Sequence, residues 1–217
     1  MNPSTAATKA DPQRRRRRGS EELRVRLLEA ALAEFAEHGY DGASTRAIAG
    51  RAGAHQPQIN YHFHSKVELW RAAVDYLMDR LDEAMAGIDG TDAREAMAGV
   101  IRGLVFFAAE RPELNRIMIQ EGTAESERLT WIVDRHVRHR HARLVSLWTE
   151  LVEQGRAAPV SPMLIHYLLL GSASLLYANA PEARLLLGIE PTDPDLVTAH
   201  ADTLVDLLLP VARPLED

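Results

Sequence analysis

From Leu23 to Leu209 the apolar residues of this chain recur every third and fourth position, and nowhere do they alternate with the period of two that a strand requires. Leu23, Leu27, Ala31 and Phe35, joined by Leu28 and Leu32, set the pattern, and Leu69, Ala73, Leu77 and Leu81 repeat it. Helix-stopping residues cut the chain into segments: Gly39, Gly53, Gly87, Pro112 and the loop at 155–162. The spacing predicts an all-α chain of about nine helices. They fall over 20–39, 44–53, 56–63, 65–87, 92–110, 113–121, 125–154, 162–180 and 194–209, with a Pro/Gly-rich connection at 181–193. A helix of eight residues, such as 56–63, does not stand alone in water and needs tertiary support.

Charge divides the chain more sharply than hydropathy does. The net charge of −6 argues at first against a nucleic-acid partner, but residues 1–66 carry net +4 and residues 67–217 net −10. A basic head on an acidic body suits a protein that meets a polyanion with one end. Three parts follow: an Arg-rich arm at 1–19 expected to be disordered, a small basic domain at 20–66, and a larger helical domain at 67–217. In the arm, Arg14 to Arg18 are consecutive like charges that repel one another. Such an arm either lies along phosphates or is a solvated tail.

Residues 44–63 combine two short helices with a glycine turn, the layout of a helix-turn-helix. Ile48, Ala49, Ala52, Ile59 and Phe63 can share a small core with Leu28, Leu32 and Phe35. The remaining face of the second short helix is polar: Gln56, Gln58, Asn60, Tyr61 and His62. Gln and Asn can bond adenine N6/N7 in a bidentate manner, and Arg46 can do the same to guanine. Gln56 and Asn60 share a face one turn apart, and Gln58 and His62 share another. Thr45 and Arg46 open the first short helix, where backbone N–H groups attract phosphate. From composition alone, a polar helix facing water remains open as the other reading.

Residues Ala30 through Trp70 closely resemble the N-terminal domain of the TetR (tetracycline repressor) family. The matching features are Ala30-Ala31, Phe35, Gly39-Tyr40, Ser44-Thr45, Ile48-Ala49, Ala52-Gly53, Tyr61-His62-Phe63, Ser65-Lys66 and Leu69. The resemblance implies a three-helix DNA-binding domain joined to a ligand-binding and dimerisation domain. It implies base or groove contacts from Arg46, Gln56, Gln58, Asn60 and Tyr61, and phosphate contacts from Ser44, Thr45, His62 and Lys66. Two positions depart from the family pattern: His55 stands where a Ser or Asn cap is usual, and Asn60 where an aromatic is common.

The resemblance further implies a twofold homodimer on double-stranded, palindromic DNA, formed through the last two long helices. Leu168, Gly171, Leu175, Leu204, Leu207 and Leu208 are the candidate interface residues; the same faces could instead pack within one chain. For a small, largely apolar ligand the candidates are Phe106, Phe107, Met118, Trp131, Ile132, His136, His166 and Tyr167, any of which could equally be plain core. His136, His139 and His141 lie in an arginine-rich run. At 100° per residue they do not converge, so no metal site is expected and the run reads as a solvated or salt-bridging face.

The chain has no cysteine, no Gly-rich phosphate loop and no nucleophile elbow, so neither an enzyme nor a bound cofactor is expected. It opens without an apolar signal region and has no unbroken apolar stretch of membrane-spanning length, from which a cytoplasmic, nucleoid-associated location without membrane contact is expected. The expected function is a ligand-responsive transcriptional regulator, most simply a repressor released from its operator by a small molecule. The alternative is a regulator of the same fold with no small-molecule effector.

Overall fold

The computed structural model describes residues 12–88 and 92–210, with side chains from Arg17 onward. Among these residues all regular structure is helical: α1 (Pro12–Gly42), α2 (Thr45–Arg51), α3 (Gln56–Phe63), α4 (Lys66–Met85), α5 (Ala93–Glu110), α6 (Pro112–Gly122), α7 (Glu127–Ile132), α8 (Arg138–Glu153), α9 (Pro162–Ala178), α10 (Ala180–Leu187) and α11 (Pro194–Leu208). A single π-helical turn, Val133–Val137, joins α7 to α8, so the long helix expected over 125–154 is continuous but irregular. The chain divides into two compact units between Tyr76 and Leu77, within α4.

In the first unit, α1 buries Leu27, Leu28, Ala31, Leu32 and Phe35, the 3–4 spacing read from the sequence. Ile48, Ala49 and Ala52 of the α2 segment, Ile59 and Phe63 of α3, and Leu69, Trp70 and Ala73 of α4 are buried too. Full burial of a side chain such as Leu, Ile or Phe contributes roughly 1.5–3 kcal/mol, which is how a helix of eight residues persists. Tyr40 stacks on Phe35 at 6.0 Å and meets Trp70 edge-on at 6.2 Å. The Tyr76 hydroxyl donates to Glu29 at 2.8 Å, tying α4 to α1. Helix α1 breaks at Gly39, whose φ of 70° suits glycine.

Two elements differ from the sequence expectation. Helix α1 starts at Pro12, so residues 12–19 of the expected arm are helical; residues 1–11 lie outside the described residues. Arginine is a good helix former, and Arg18 pairs with Glu22 one turn on at 3.0 Å, which favours extension into the charged run. Likewise, α10 occupies most of what was expected to be a connection at 181–193. Pro181 falls in its first turn, where a missing N–H costs nothing, and Gly188 ends it in the left-handed region.

In the second unit α5 is the central helix. Its Met97, Ile101 and Val105 pack in one core with Trp148 and Leu151 of α8, Ile165, Leu169, Ala173 and Tyr177 of α9, and Val197, Ala201, Leu204 and Val205 of α11. The Trp148 indole donates to the Val160 carbonyl at 3.0 Å, so its polar atom is satisfied in the core. Asp92 caps α5 by accepting from the backbone N–H groups of Arg94 and Glu95, and the Arg156 guanidinium beside it, together with those backbone donors, holds its carboxyl below the usual range. Arg94 closes the other side by donating to the Leu209 carbonyl at 2.7 Å.

Candidate functional site

The helix-turn-helix is built from its caps outward. Ser44 caps α2, its hydroxyl accepting from Ala47 N–H at 3.4 Å. Its own N–H donates to the buried Glu34 carboxylate at 3.2 Å, and the same carboxylate pairs with Arg51 at the far end of α2 at 3.3 Å. Glu34 therefore holds both ends of α2 on α1. The turn that follows depends on Gly53 at φ 61°, and the Arg26 guanidinium donates to the Ala52 carbonyl at 3.3 Å. Neither Glu34 nor Arg26 was singled out from the sequence. The signal for Glu34 was an acid at a position flanked by Leu32 and Phe35, on the apolar face of a helix.

Helix α3 starts on His55, in extended backbone, with Pro57 in its first turn. The Gln58 side-chain carbonyl accepts from His55 N–H at 2.8 Å. Gln58 is thus engaged as the reciprocal half of a capping arrangement, which makes good the weak cap at His55 and leaves only its NH₂ group to reach outward. Gln56 and Asn60 are exposed one turn apart, and Gln56 Nε2 donates to Thr45 Oγ1 at 3.3 Å, linking the first residues of α2 and α3. Tyr61 is 77% exposed. His62 is half-buried with its ring 5.1 Å from Tyr61. Arg46 and Ser44 are exposed. Lys66 sits 4.8 Å above the Tyr40 ring and donates to the Asp41 carbonyl at 3.3 Å. One surface of this unit therefore collects a fork donor, three amides, a phenol and an ammonium over a buried apolar layer.

The second unit contains a cavity of about 280 Å³ bounded by side chains of α4, α5, α6, α8 and α9 and by the π-helical turn. Of the residues expected to line a pocket, Phe107, Met118, His136 and His166 do so. The other four do not. Phe106 lies one residue before Phe107 on α5, turned about 100° from it, and is exposed; Tyr167 lies one residue after His166 on α9, turned by the same angle, and is 76% exposed. Ile132 is buried, but it and the half-buried Trp131, which packs against His136 at 5.3 Å, are outside the lining. In their place come Arg140, His141 and Arg143 of α8, from the run expected to be a solvated or salt-bridging face, together with Asp82 of α4 and Arg111. Arg140 binds Asp82 at 3.2 and 2.6 Å and also donates to the His136 carbonyl in the π-helical turn. That turn displaces the normal helical bonding, and the guanidinium takes up a carbonyl there. Among the described residues no three His, Cys, Asp or Glu side chains are grouped so as to hold a metal ion.

Of the expected interface residues, Leu168, Gly171 and Leu175 form an exposed stripe on α9, and Leu207 of α11 is 69% exposed. Leu208 is half-buried against the core. Leu204 is only 6% exposed and belongs to the core of its own chain, where it packs with Val197, Ala201 and Val205 of the same helix. No single helix among the described residues is long and apolar enough to cross a membrane; α9 and α10 have the composition together but bend by 71°.

The two short helices, their glycine turn and the polar exposed face of the second make the first unit a helix-turn-helix domain of the DNA-binding kind. Residues 27–73 match the family model for bacterial regulatory proteins of the tetR family, so the first unit carries the DNA-binding domain of that family. It is 36% identical over 106 residues to the HTH-type transcriptional repressor SCO4008 of Streptomyces coelicolor, a match that covers 48% of this chain and 52% of that protein. It is 40% identical over 63 residues to the HTH-type transcriptional dual regulator CecR of Shigella flexneri, over 29% of this chain and 28% of that one. The chain thus spans about half or less of the length of these curated relatives. In fold it is similar to AibR, solved in complex with isovaleryl coenzyme A and operator DNA, with a TM-score of 0.72 at 21% identity over 88% of this chain and 100% of that one.

Proposed function

We propose that this protein is a ligand-responsive transcriptional repressor that binds a palindromic operator as a homodimer and leaves it when a small molecule occupies the cavity of the second unit. The observation that carries the reading is α3: a short helix with a buried apolar face and an exposed face of Gln56, Asn60 and Tyr61, flanked by Arg46, Ser44 and Lys66. Gln56 and Asn60 are suited to adenine edges in a major groove, and Arg46 to guanine. Ser44, Thr45, His62 and Lys66 are placed to meet phosphates on either side.

The exposed stripe on α9 and Leu207 on α11 supports self-association, since two such helices from each protomer form a four-helix contact. The cavity supports a small-molecule effector, its volume lying at the lower edge of the roughly 300–1,000 Å³ of small-molecule sites. A relative described as a repressor and a protein of similar fold crystallised with both a ligand and operator DNA agree with each half of the proposal. Occupancy would act by favouring a conformation of the second unit that is incompatible with two recognition helices engaging one operator.

The test is selection of bound duplexes from a random pool with the full-length protein. The expected product is an inverted repeat whose half-sites are about one helical turn, roughly 10 base pairs, or a multiple of it apart. A pool that shows no enrichment after repeated rounds contradicts the proposal.

A further inference from the structure

The polar lining of the cavity is unbalanced. Asp82 is its one acidic residue, and Arg140 occupies it in a two-point contact. Arg111 lies 3.7 Å from Glu113. What remains is a wall where α8 meets α9. There His141 and His166 approach edge to face, ring centroids 5.0 Å apart, and both line the cavity. Among the described residues neither ring has a hydrogen bond or an ion pair, and Arg143, also in the lining, has no carboxylate partner. The lining also includes hydrocarbon and thioether: Met78, Leu81 and Met85 of α4, Leu104 and Phe107 of α5. The cavity thus offers an imidazole pair with donors to spare beside a largely apolar lining.

We propose that this cavity holds a small amphipathic carboxylate, its hydrocarbon tail against α4 and α5 and its carboxylate at the His141–His166 pair. The inference rests on the reading of this cavity as the effector site. A carboxylate supplies acceptors for both imidazoles, charge-assisted bonds that a neutral ligand of the same shape does not make. At roughly 30 Å³ per water-sized group, the volume accommodates about nine or ten heavy atoms, the size of octanoate.

Proton linkage follows from the same geometry. Burial, and then the neighbouring His141, holds His166 below the ordinary imidazole range, so without a ligand His166 is reluctant to charge. An anion between the rings reverses this, and a proton is taken up as it binds. The other charged or titratable groups lining the same cavity are Asp82 from α4, Arg111 at the end of α5, Arg140 and Arg143 on α8, and His136 in the π-helical turn; α6 contributes the neutral Asn115. Asp82 and Arg140 are joined in their two-point contact, which leaves the imidazole pair as the group the anion meets. Affinity for a carboxylate therefore rises as pH falls from about 8 to about 6, a window in which a fatty acid itself stays ionised.

The experiment is calorimetric titration of the full chain with octanoate and with 1-octanol, in buffers of different ionisation heat, paired with binding to the selected operator. Octanoate is expected to bind about ten- to hundredfold tighter than octanol, with net proton uptake. In the His141→Gln/His166→Gln double variant that preference and the uptake disappear, while octanol binds within about twofold of wild type, which reports an intact cavity. Equal affinity for the two ligands, or octanoate binding without proton uptake, overturns the carboxylate assignment and leaves the effector reading standing. Octanoate binding with proton uptake but unchanged operator affinity supports the assignment and sinks the effector reading. Failure of both ligands to bind overturns both.

Discussion

At the scale of single residues, the DNA-facing unit is organised by groups that do not face DNA. Glu34 is the clearest case. It is buried, yet it accepts from Ser44 N–H and pairs with Arg51 and, at 3.8 Å, with His38. Glu34→Ala removes the acceptor at the start of α2 and the counter-charge at its end. Because Arg51 is partly exposed and regains water, the expected loss is about 1–3 kcal/mol rather than that of a fully buried pair, read as a fall in urea midpoint at constant slope. An unchanged midpoint would remove Glu34 from this role. His64 provides a prediction of the opposite sign. It ends α3 at φ 47°, a conformation that costs a residue with a Cβ roughly 1 kcal/mol, so His64→Gly should raise the midpoint by a comparable amount. A lower midpoint would show that the His64 side chain contributes more than its backbone costs.

At the scale of elements, legibility followed burial. The stripe on α1 and the buried half of α3 were readable because an apolar face demands a partner. The polar half of α3 was readable as a surface, but chemistry alone left it facing either DNA or water. What was not readable were features set by neighbours in space. Helix α10 hides behind Pro181, which reads as a loop signal unless it falls in a first turn. The basic run at 135–143 reads in sequence as solvated or salt-bridging without a named partner; only the fold brings α4 beside α8, supplies Asp82 to Arg140, and sets His141 against His166. Adjacent aromatics were equally ambiguous, since one of each pair at 106–107 and 166–167 points in and the other out. The α9–α11 pairing carries a pH prediction. Tyr177 bonds His200 Nδ1 at 2.9 Å across the two helices, and burial pushes its hydroxyl up to about 12. The folded state thus holds this proton more tightly than the unfolded chain does. Stability from this group is complete below about pH 10 and falls as pH rises from there toward 12, by about 1.4 kcal/mol per pH unit at most. Tyr177→Phe should flatten that alkaline slope; an identical slope in the variant would contradict the assignment.

At the scale of the whole molecule, the two units answer different sequence signals. The basic first unit reads from motif and charge together, whereas the acidic second unit reads only as helix, its cavity and its exposed apolar stripe coming from side chains arranged by the fold. The exposed stripe on α9 gives the proposal of self-association a direct check. Leu168→Arg with Leu175→Arg places charge on surface that is already exposed, so folding should persist while the species sediments as a monomer and binds the full operator at least about tenfold more weakly. A variant that still sediments as a dimer would place the contact elsewhere, with the exposed Leu185, Leu186 and Leu187 of α10 the next surface to examine.

The central claim is that α3 reads base sequence through Gln56 and Asn60. The most direct measurement is the ratio of affinities for the selected operator and a scrambled duplex of equal length, at one fixed salt concentration, for wild type and for Gln56→Ala/Asn60→Ala. A wild-type ratio of roughly 10³ or more is expected, and at about 1–3 kcal/mol per bidentate contact the double variant should lose a hundredfold or more of it. Affinity for the scrambled duplex, carried by phosphate contacts, should stay nearly the same. A double variant that keeps the full ratio would contradict the account.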